Sequence, residues 1–135
     1  MTRLTEHAPA KINLSLHVGP PNENERHNLV SLVTFADTDA ADIVTAEPAS
    51  HFSLAVDGPF ARQSGPAKDN LVLKAARAMN DALDGNAPPL AFRLQKKLPC
   101  AAGIGGGSAD AGAALRLIVR EHGGETAQTM AEAVA

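Results

Sequence analysis

Leu98-Pro99-Cys100-Ala101-Ala102-Gly103-Ile104-Gly105-Gly106-Gly107-Ser108-Ala109-Asp110-Ala111 sets a cluster of glycines directly before an apolar, alanine-rich helical pattern. Residues without a Cβ let the backbone enter the positive-φ region and let an anion approach its N–H groups. The first turn of the helix that follows adds unpaired donors at the positive end of its dipole. Gly103, Gly105, Gly106 and Gly107 fill four of five consecutive positions, and each costs roughly 0.5–1 kcal/mol in backbone entropy relative to alanine. Such a density reads as a phosphate cradle, although a glycine turn with Ser108 as an ordinary N-cap is the commoner use of glycine pairs. A dinucleotide fingerprint fails by counting, because its third glycine would fall on Ser108 or Asp110. A P-loop fails as well, because Gly107 is followed by Ser108 and not by lysine.

Working outward, the 135 residues amount to one domain, with 44% hydrophobic residues to build a core. The alternation of periods described below predicts a compact α/β or α+β unit. A net charge of −3 excludes a general nucleic-acid surface, which needs clustered Lys and Arg. Neither a basic-then-apolar leader nor an apolar run of about 18 residues is present, so no membrane association is expected and the cytoplasm is the expected compartment. Cys100, the one cysteine, can form no internal disulfide and reads as a small buried filler beside the loop.

Ile12, Leu14, Leu16 and Val18 alternate with Lys11, Asn13, Ser15 and His17, which predicts a half-buried strand with all four of the latter on one polar face. Leu29 to Ala36 is a second strand, and Ile43–Ala46 with Phe52, Leu54 and Val56 reads as a hairpin around Glu47-Pro48-Ala49-Ser50. From Asp69 as N-cap, the stripe Val72, Ala75, Ala76, Met79, Leu83 marks a helix ending at Gly85. Leu90, Phe92 and Leu94 form a strand feeding Lys96-Lys97-Leu98-Pro99 and the loop. A second helix carries Ala111, Ala114, Leu115 and Ile118 to Gly123-Gly124, and a third begins near Thr126. Lys96 and Lys97 are expected to extend into water at the strand end, with a nucleotide phosphate as the other candidate partner. Asp110 is expected to complement the helix dipole.

Ala8-Pro9-Ala10-Lys11-Ile12-Asn13-Leu14, then His27-Asn28-Leu29, then Asp69-Asn70-Leu71, then the glycine loop, occur in that order. Together they resemble the GHMP small-molecule kinases and, within them, the 4-diphosphocytidyl-2-C-methyl-D-erythritol kinase family. The resemblance implies an α+β GHMP-kinase N-terminal domain over residues 1–135, a mixed sheet with helices packed on one face. It implies ATP, with Mg²⁺, as phosphate donor and a cytidine diphosphate-linked methylerythritol as the small-molecule acceptor, phosphorylated on its 2-hydroxyl in non-mevalonate isoprenoid synthesis. Carried over residue by residue, it makes Lys11 catalytic, places Asn13 and His27 near the acceptor, and makes Pro99 to Ala109 the ATP phosphate-binding segment, with no protein metal ligand assigned. From the residues alone, Lys11 and Asn13 are equally a solvated strand face and His27 a loop histidine. Ser108 is either an N-cap or a phosphate or Mg²⁺ ligand.

Two departures accompany the resemblance. Where that family has Asp-Gly-Tyr-His, this chain has Asn24-Glu25-Arg26-His27, so the turn glycine and the aromatic are replaced. The catalytic aspartate of the family lies in a later motif that none of the fifteen acidic residues here matches. The expectation is therefore an N-terminal half whose uncovered apolar sheet face favours self-association. Another GHMP kinase of the mevalonate, homoserine or galactose type, and a non-catalytic ATP-binding remnant, are the alternative readings.

Overall fold

The computed structural model describes residues 2–134. The strands β1 (Leu4–Pro9), β4 (Ala41–Pro48), β6 (Leu90–Gln95) and β5 (Ser53–Asp57) form a four-stranded sheet in that spatial order. β1 and β6 both run antiparallel to β4, and β5 runs parallel to β6. The strands β2 (Lys11–Pro21) and β3 (His27–Phe35) form a separate antiparallel ribbon. Helices α1 (Leu71–Ala82), α2 (Gly106–His122) and α3 (Glu125–Val134) pack on one another, and α2 lies against β1 and β4. This is an α+β fold with a mixed sheet. Among the described residues no helix is long and apolar enough to cross a membrane.

Alternation on the strands selects the core. Leu90, Phe92 and Leu94 of β6 are buried, while the alternating Arg93 and Gln95 are exposed. The register places Val44 opposite Leu94 and Ala46 opposite Phe92, so one apolar face is continuous across the two strands. Against it pack Val72, Ala76 and Met79 of α1 and Ala114, Leu117 and Ile118 of α2, all on single helical faces. The Phe52 and Phe92 rings stack with centroids 6.4 Å apart.

Several expectations are corrected. β4 and β5 are not a hairpin: β6 is inserted between them, and its two backbone edges pair with both. The N-cap of α1 is Asn70, whose side chain accepts from the Val72 N–H at 2.9 Å, and Asp69 belongs to the preceding turn. The β2–β3 ribbon is not half-buried, for Ile12, Leu14, Leu16 and Val18 are all exposed. Its polar face does not carry Lys11, Asn13, Ser15 and His17 together either. Asn13 pairs with Val33 but Ser15 pairs with Leu32, so the bulge at Leu14 moves Ser15 and His17 to the face opposite Lys11 and Asn13. At the far end, Glu25 stands at φ +57 where the resemblance expects glycine. Asn22 holds it there, its Oδ1 accepting the N–H groups of both Asn24 and Arg26 at 3.0 Å.

Where β5 ends, Gly58 lets the chain turn against the peptide of Lys96. Its φ is +98, and a Cβ there would stand 2.6 Å from the Lys96 carbonyl oxygen and 2.9 Å from its nitrogen. Gly58→Ala therefore combines a disfavoured φ with a backbone clash and is expected to cost about 2 kcal/mol or more. Chemical denaturation of the two proteins measures this, and an unchanged midpoint would show that the turn relaxes freely.

Candidate active site

The glycine loop is the end of β6 turned back on the start of α2. Gly103 and Gly105 have φ of +73 and +67, and Ala101 is held at +55 without being glycine. Gly105 is the N-cap residue of α2, and no side chain caps the helix, so Ser108 is not the N-cap. Ala109 N–H is the first to reach back, to the Gly105 carbonyl at 2.9 Å. The preceding amides of Gly106, Gly107 and Ser108 thus have no acceptor among the described residues, which leaves a dipole end and three donors facing outward.

Gly106 and Gly107 are glycines for a different reason from Gly105. A Cβ on Gly106 would come 3.1 Å from Lys96 Nζ, and one on Gly107 would come 3.2 Å from Leu71 Cδ1. The loop is pressed against its neighbours there, and a positive φ is not what excludes a side chain. A cavity of about 360 Å³ opens above it, lined by Pro99 to Ser108 together with Asn70, Leu71, Lys96 and Asp110. Cys100 is half-buried at its rim and is not a core filler. These features fit a polyphosphate: bare amides, a helix N-terminus and space without Cβ atoms.

Lys11 comes to the same loop from the other side. Its N–H donates to the Ile104 carbonyl at 2.8 Å, and its side chain runs along Gly105, where a Cβ would sit 3.6 Å from Lys11 Cβ and 3.7 Å from Cε. A second cavity of about 620 Å³ is lined by Lys11, Phe35, Gly105, Ser108, Gly112 and Arg116, among others. Gly105 and Ser108 belong to both cavities and form the wall between them. Asn13 shares Lys11's face of the ribbon and accepts from the Ser31 hydroxyl at 3.1 Å. His27 is not brought to this place. It lies at the far end of the ribbon, its Nδ1 2.7 Å from the Gly19 carbonyl oxygen, about 30 Å along the strand from Lys11 at roughly 3.3 Å per residue.

Lys96 and Asp110 are placed otherwise than expected. Lys96 is buried, and its Nζ bonds Asp42 Oδ2 at 2.5 Å and Asp110 Oδ2 at 2.9 Å. Lys97 is exposed and contributes its N–H to Asp42 Oδ1. Asp42 escaped the sequence reading altogether. All three charged groups nevertheless lie in phase with apolar stripes: Asp42 with Val44 and Ala46, Lys96 with Leu90, Phe92 and Leu94, and Asp110 with Ala113, Ala114 and Leu117. Burial, opposed by Lys96 and aided by the nearby Asp42 charge, pushes the Asp110 carboxyl up to about 7. Burial opposes the Lys96 charge, but the two carboxylates outweigh it and lift the ammonium above its usual range. At the edge of the second cavity burial works against the Glu6 charge, but hydrogen bonds from Arg116 and Arg120, both 2.8 Å, hold its carboxyl below the usual range.

The geometry is matched by relatives. The family described as GHMP kinases N terminal domain matches residues 70–135. A 4-diphosphocytidyl-2-C-methyl-D-erythritol kinase of Hyphomonas neptunium is 58% identical over 113 residues, 84% of this chain and 38% of that protein. The chain belongs to the GHMP kinases. Like the Hyphomonas protein, a solved 4-(cytidine 5'-diphospho)-2C-methyl-D-erythritol kinase shares it over 94% of this chain and 46% of that one, at 30% identity and a TM-score of 0.70. A homoserine kinase of Cytophaga hutchinsonii superposes with a TM-score of 0.67 at 16% identity, which shows the shared GHMP fold alone. The chain thus spans 38% of the Hyphomonas protein and 46% of the solved kinase, less than half the length of each.

Asp110 makes a pH signature. Its carboxyl titrates near 7 when folded and near 3.8 otherwise, so the folded state holds a proton that the unfolded chain has released. Its contribution to stability is therefore full below about pH 4 and is lost as the pH rises through about 7. Asp110→Asn keeps an acceptor for Lys96 and places an amide where the proton would be. Thermal melts at pH 5 and pH 8 should show the wild type losing more stability than Asp110→Asn. Parallel losses would contradict the assignment.

Proposed function

We propose that residues 1–135 form the nucleotide-binding part of an ATP-dependent kinase that phosphorylates the 2-hydroxyl of 4-diphosphocytidyl-2-C-methyl-D-erythritol, a step of non-mevalonate isoprenoid precursor synthesis, and that it works in the cytoplasm. GHMP kinases use ATP as phosphate donor, and relatives 47% to 58% identical to this chain carry the name of this kinase. The observation that carries the reading is the shared wall: a phosphate-fitting cavity and a cavity holding Lys11 meet at Gly105 and Ser108. A phosphoryl group needs positioning and charge neutralisation more than covalent help. Pro99 to Ala109 would hold the polyphosphate through backbone donors, and the Lys11 ammonium would face the charge that builds on the group in transit. Mg²⁺ would arrive on the nucleotide's own oxygens, as it commonly does when bound with substrate phosphates.

Lys11 and Asn13 are assigned to the acceptor, and the distance of His27 lends no support to its joining them. Lys11 has no acceptor lone pair when charged, and among the described residues no carboxylate lines its cavity. Turnover is therefore best measured on a fusion of residues 1–135 to the C-terminal region of the Hyphomonas relative. In that fusion Lys11→Ala should lower kcat by about 100-fold with ATP binding retained. Full turnover with only a lower melting temperature would leave Lys11 a structural residue.

The ribbon also predicts a solution property. Leu14, Val18, Leu29, Val30, Leu32 and Phe35 are each more than half exposed, and an apolar patch above about 400 Å² favours association. The 135-residue chain should elute from size exclusion as an associated, concentration-dependent species. Leu16→Lys combined with Leu32→Lys should shift it toward a monomer, and a wild-type monomer at all concentrations would refute the idea.

A further inference from the structure

Behind the glycine loop two carboxylates are sealed in with a single ammonium, an inequality that the reading of the loop as a phosphate cradle, on which this inference rests, leaves unused. Asp42 is saturated with donors. Its Oδ1 accepts the N–H groups of Lys97 at 2.6 Å and Leu98 at 2.7 Å, and its Oδ2 accepts Lys96 Nζ. Those bonds fix the chain where it leaves β6 and enters the loop. Asp110 is undersupplied: its Oδ2 takes Lys96 Nζ, while its Oδ1 is buried with no partner. The ammonium meanwhile abuts the first residue of α2, 3.1 Å from where a Gly106 Cβ would stand.

We infer that Asp42 and Lys96 are positioning residues for the phosphate cradle and that a polyphosphate binding there draws a proton onto Asp110. With both acids ionised the cluster carries one net negative charge in a region of low dielectric, directly beneath the amides that receive the phosphates. An incoming anion raises the cost of that charge, and protonating Asp110 Oδ1 removes it. The proton comes from solvent and goes to Asp110, since Asp42 has no oxygen without a donor. By linkage, protonation then favours the polyphosphate by the same factor. The charged groups that face Asp110 are Asp42 from β4 and Lys96 from the exit of β6, while Asp69 and Cys100 stand across the cavity. The buried side chains of α1 and β1, Val72, Leu73, Ala75, Ala76, Met79 and Ala8, are all uncharged. Burial already holds the Asp110 carboxyl near 7, so the empty site is partly ionised at neutral pH and has room for the proton.

Calorimetric titration of the 135-residue chain with ADP at pH 7, in PIPES and in Tris, measures the proton through the difference in buffer ionisation heat. The wild type is expected to take up a fraction of one proton per ADP. Asp110→Asn should take up fewer protons per ADP than the wild type, what remains belonging to the terminal phosphate of ADP, which titrates near neutral pH. Lys96→Met, shown by a cooperative melt to be folded, should weaken ADP by about tenfold or more. The same number of protons exchanged by wild type and Asp110→Asn, or unchanged affinity in folded Lys96→Met, would overturn the inference and leave the cradle reading standing. Failure of the wild type to bind ADP at all would remove both. If Lys96→Met does not fold, the Asp110→Asn comparison decides.

Discussion

Lys96 is the point on which the site hangs. Its ammonium joins β4, the exit of β6 and the second turn of α2 through Asp42 and Asp110, and all three side chains are almost wholly buried. Buried ion pairs are poor evidence of stability, since desolvation consumes much of their attraction. What they supply here is geometry. Asp42 clamps two successive amides of the segment entering the loop, so the loop begins from a fixed direction, and a Cβ on Gly106 would crowd the ammonium at 3.1 Å. A lysine exposed at the strand end would have left both the loop and the start of α2 free to shift.

With the loop held from behind, its front can stay bare. The three uncapped amides at the start of α2 and the left-handed Gly105 are tolerable because the loop's position does not depend on them. Gly105 then serves two neighbours at once: its left-handed peptide belongs to the phosphate side, and the Lys11 stem runs past it at ordinary van der Waals distance on the other. The ordering runs from buried charge to loop shape to the meeting of two cavities, and only the last of these is chemistry.

Much of this was legible before the structure, in unequal measure. The helical stripe from Val72 to Leu83 and the glycine cluster stood out because each is a local pattern with one physical cause. The partners of β4 and β5 did not, because the choice between a hairpin and an inserted third strand is made by contacts remote in sequence. β1, reading Leu4-Thr5-Glu6-His7-Ala8-Pro9, went unseen because its apolar residues are few and its place is secured by pairing with β4. The bulge at Leu14 is one extra residue that alternation cannot announce, and it reversed half a strand face. Asp42, Lys96 and Asp110 are instructive in another way. Each keeps the phase of its apolar neighbours, and that phase was a sounder guide to where the side chains point than their charge.

The ribbon of β2 and β3 meets the rest of the chain at its base, where Ala10 and Lys11 form hydrogen bonds with Ala40, Ala36 and Ile104. A strip about 30 Å long, swung by about 10° around that base, carries its tip roughly 5 Å while the base scarcely moves. Lys11 sits at the fulcrum. The lysine beside Gly105 is therefore mechanically insulated from the excursions of the arm that bears it, and the tip with Asn22, Glu25 and His27 can travel without disturbing the ammonium's distance from the loop.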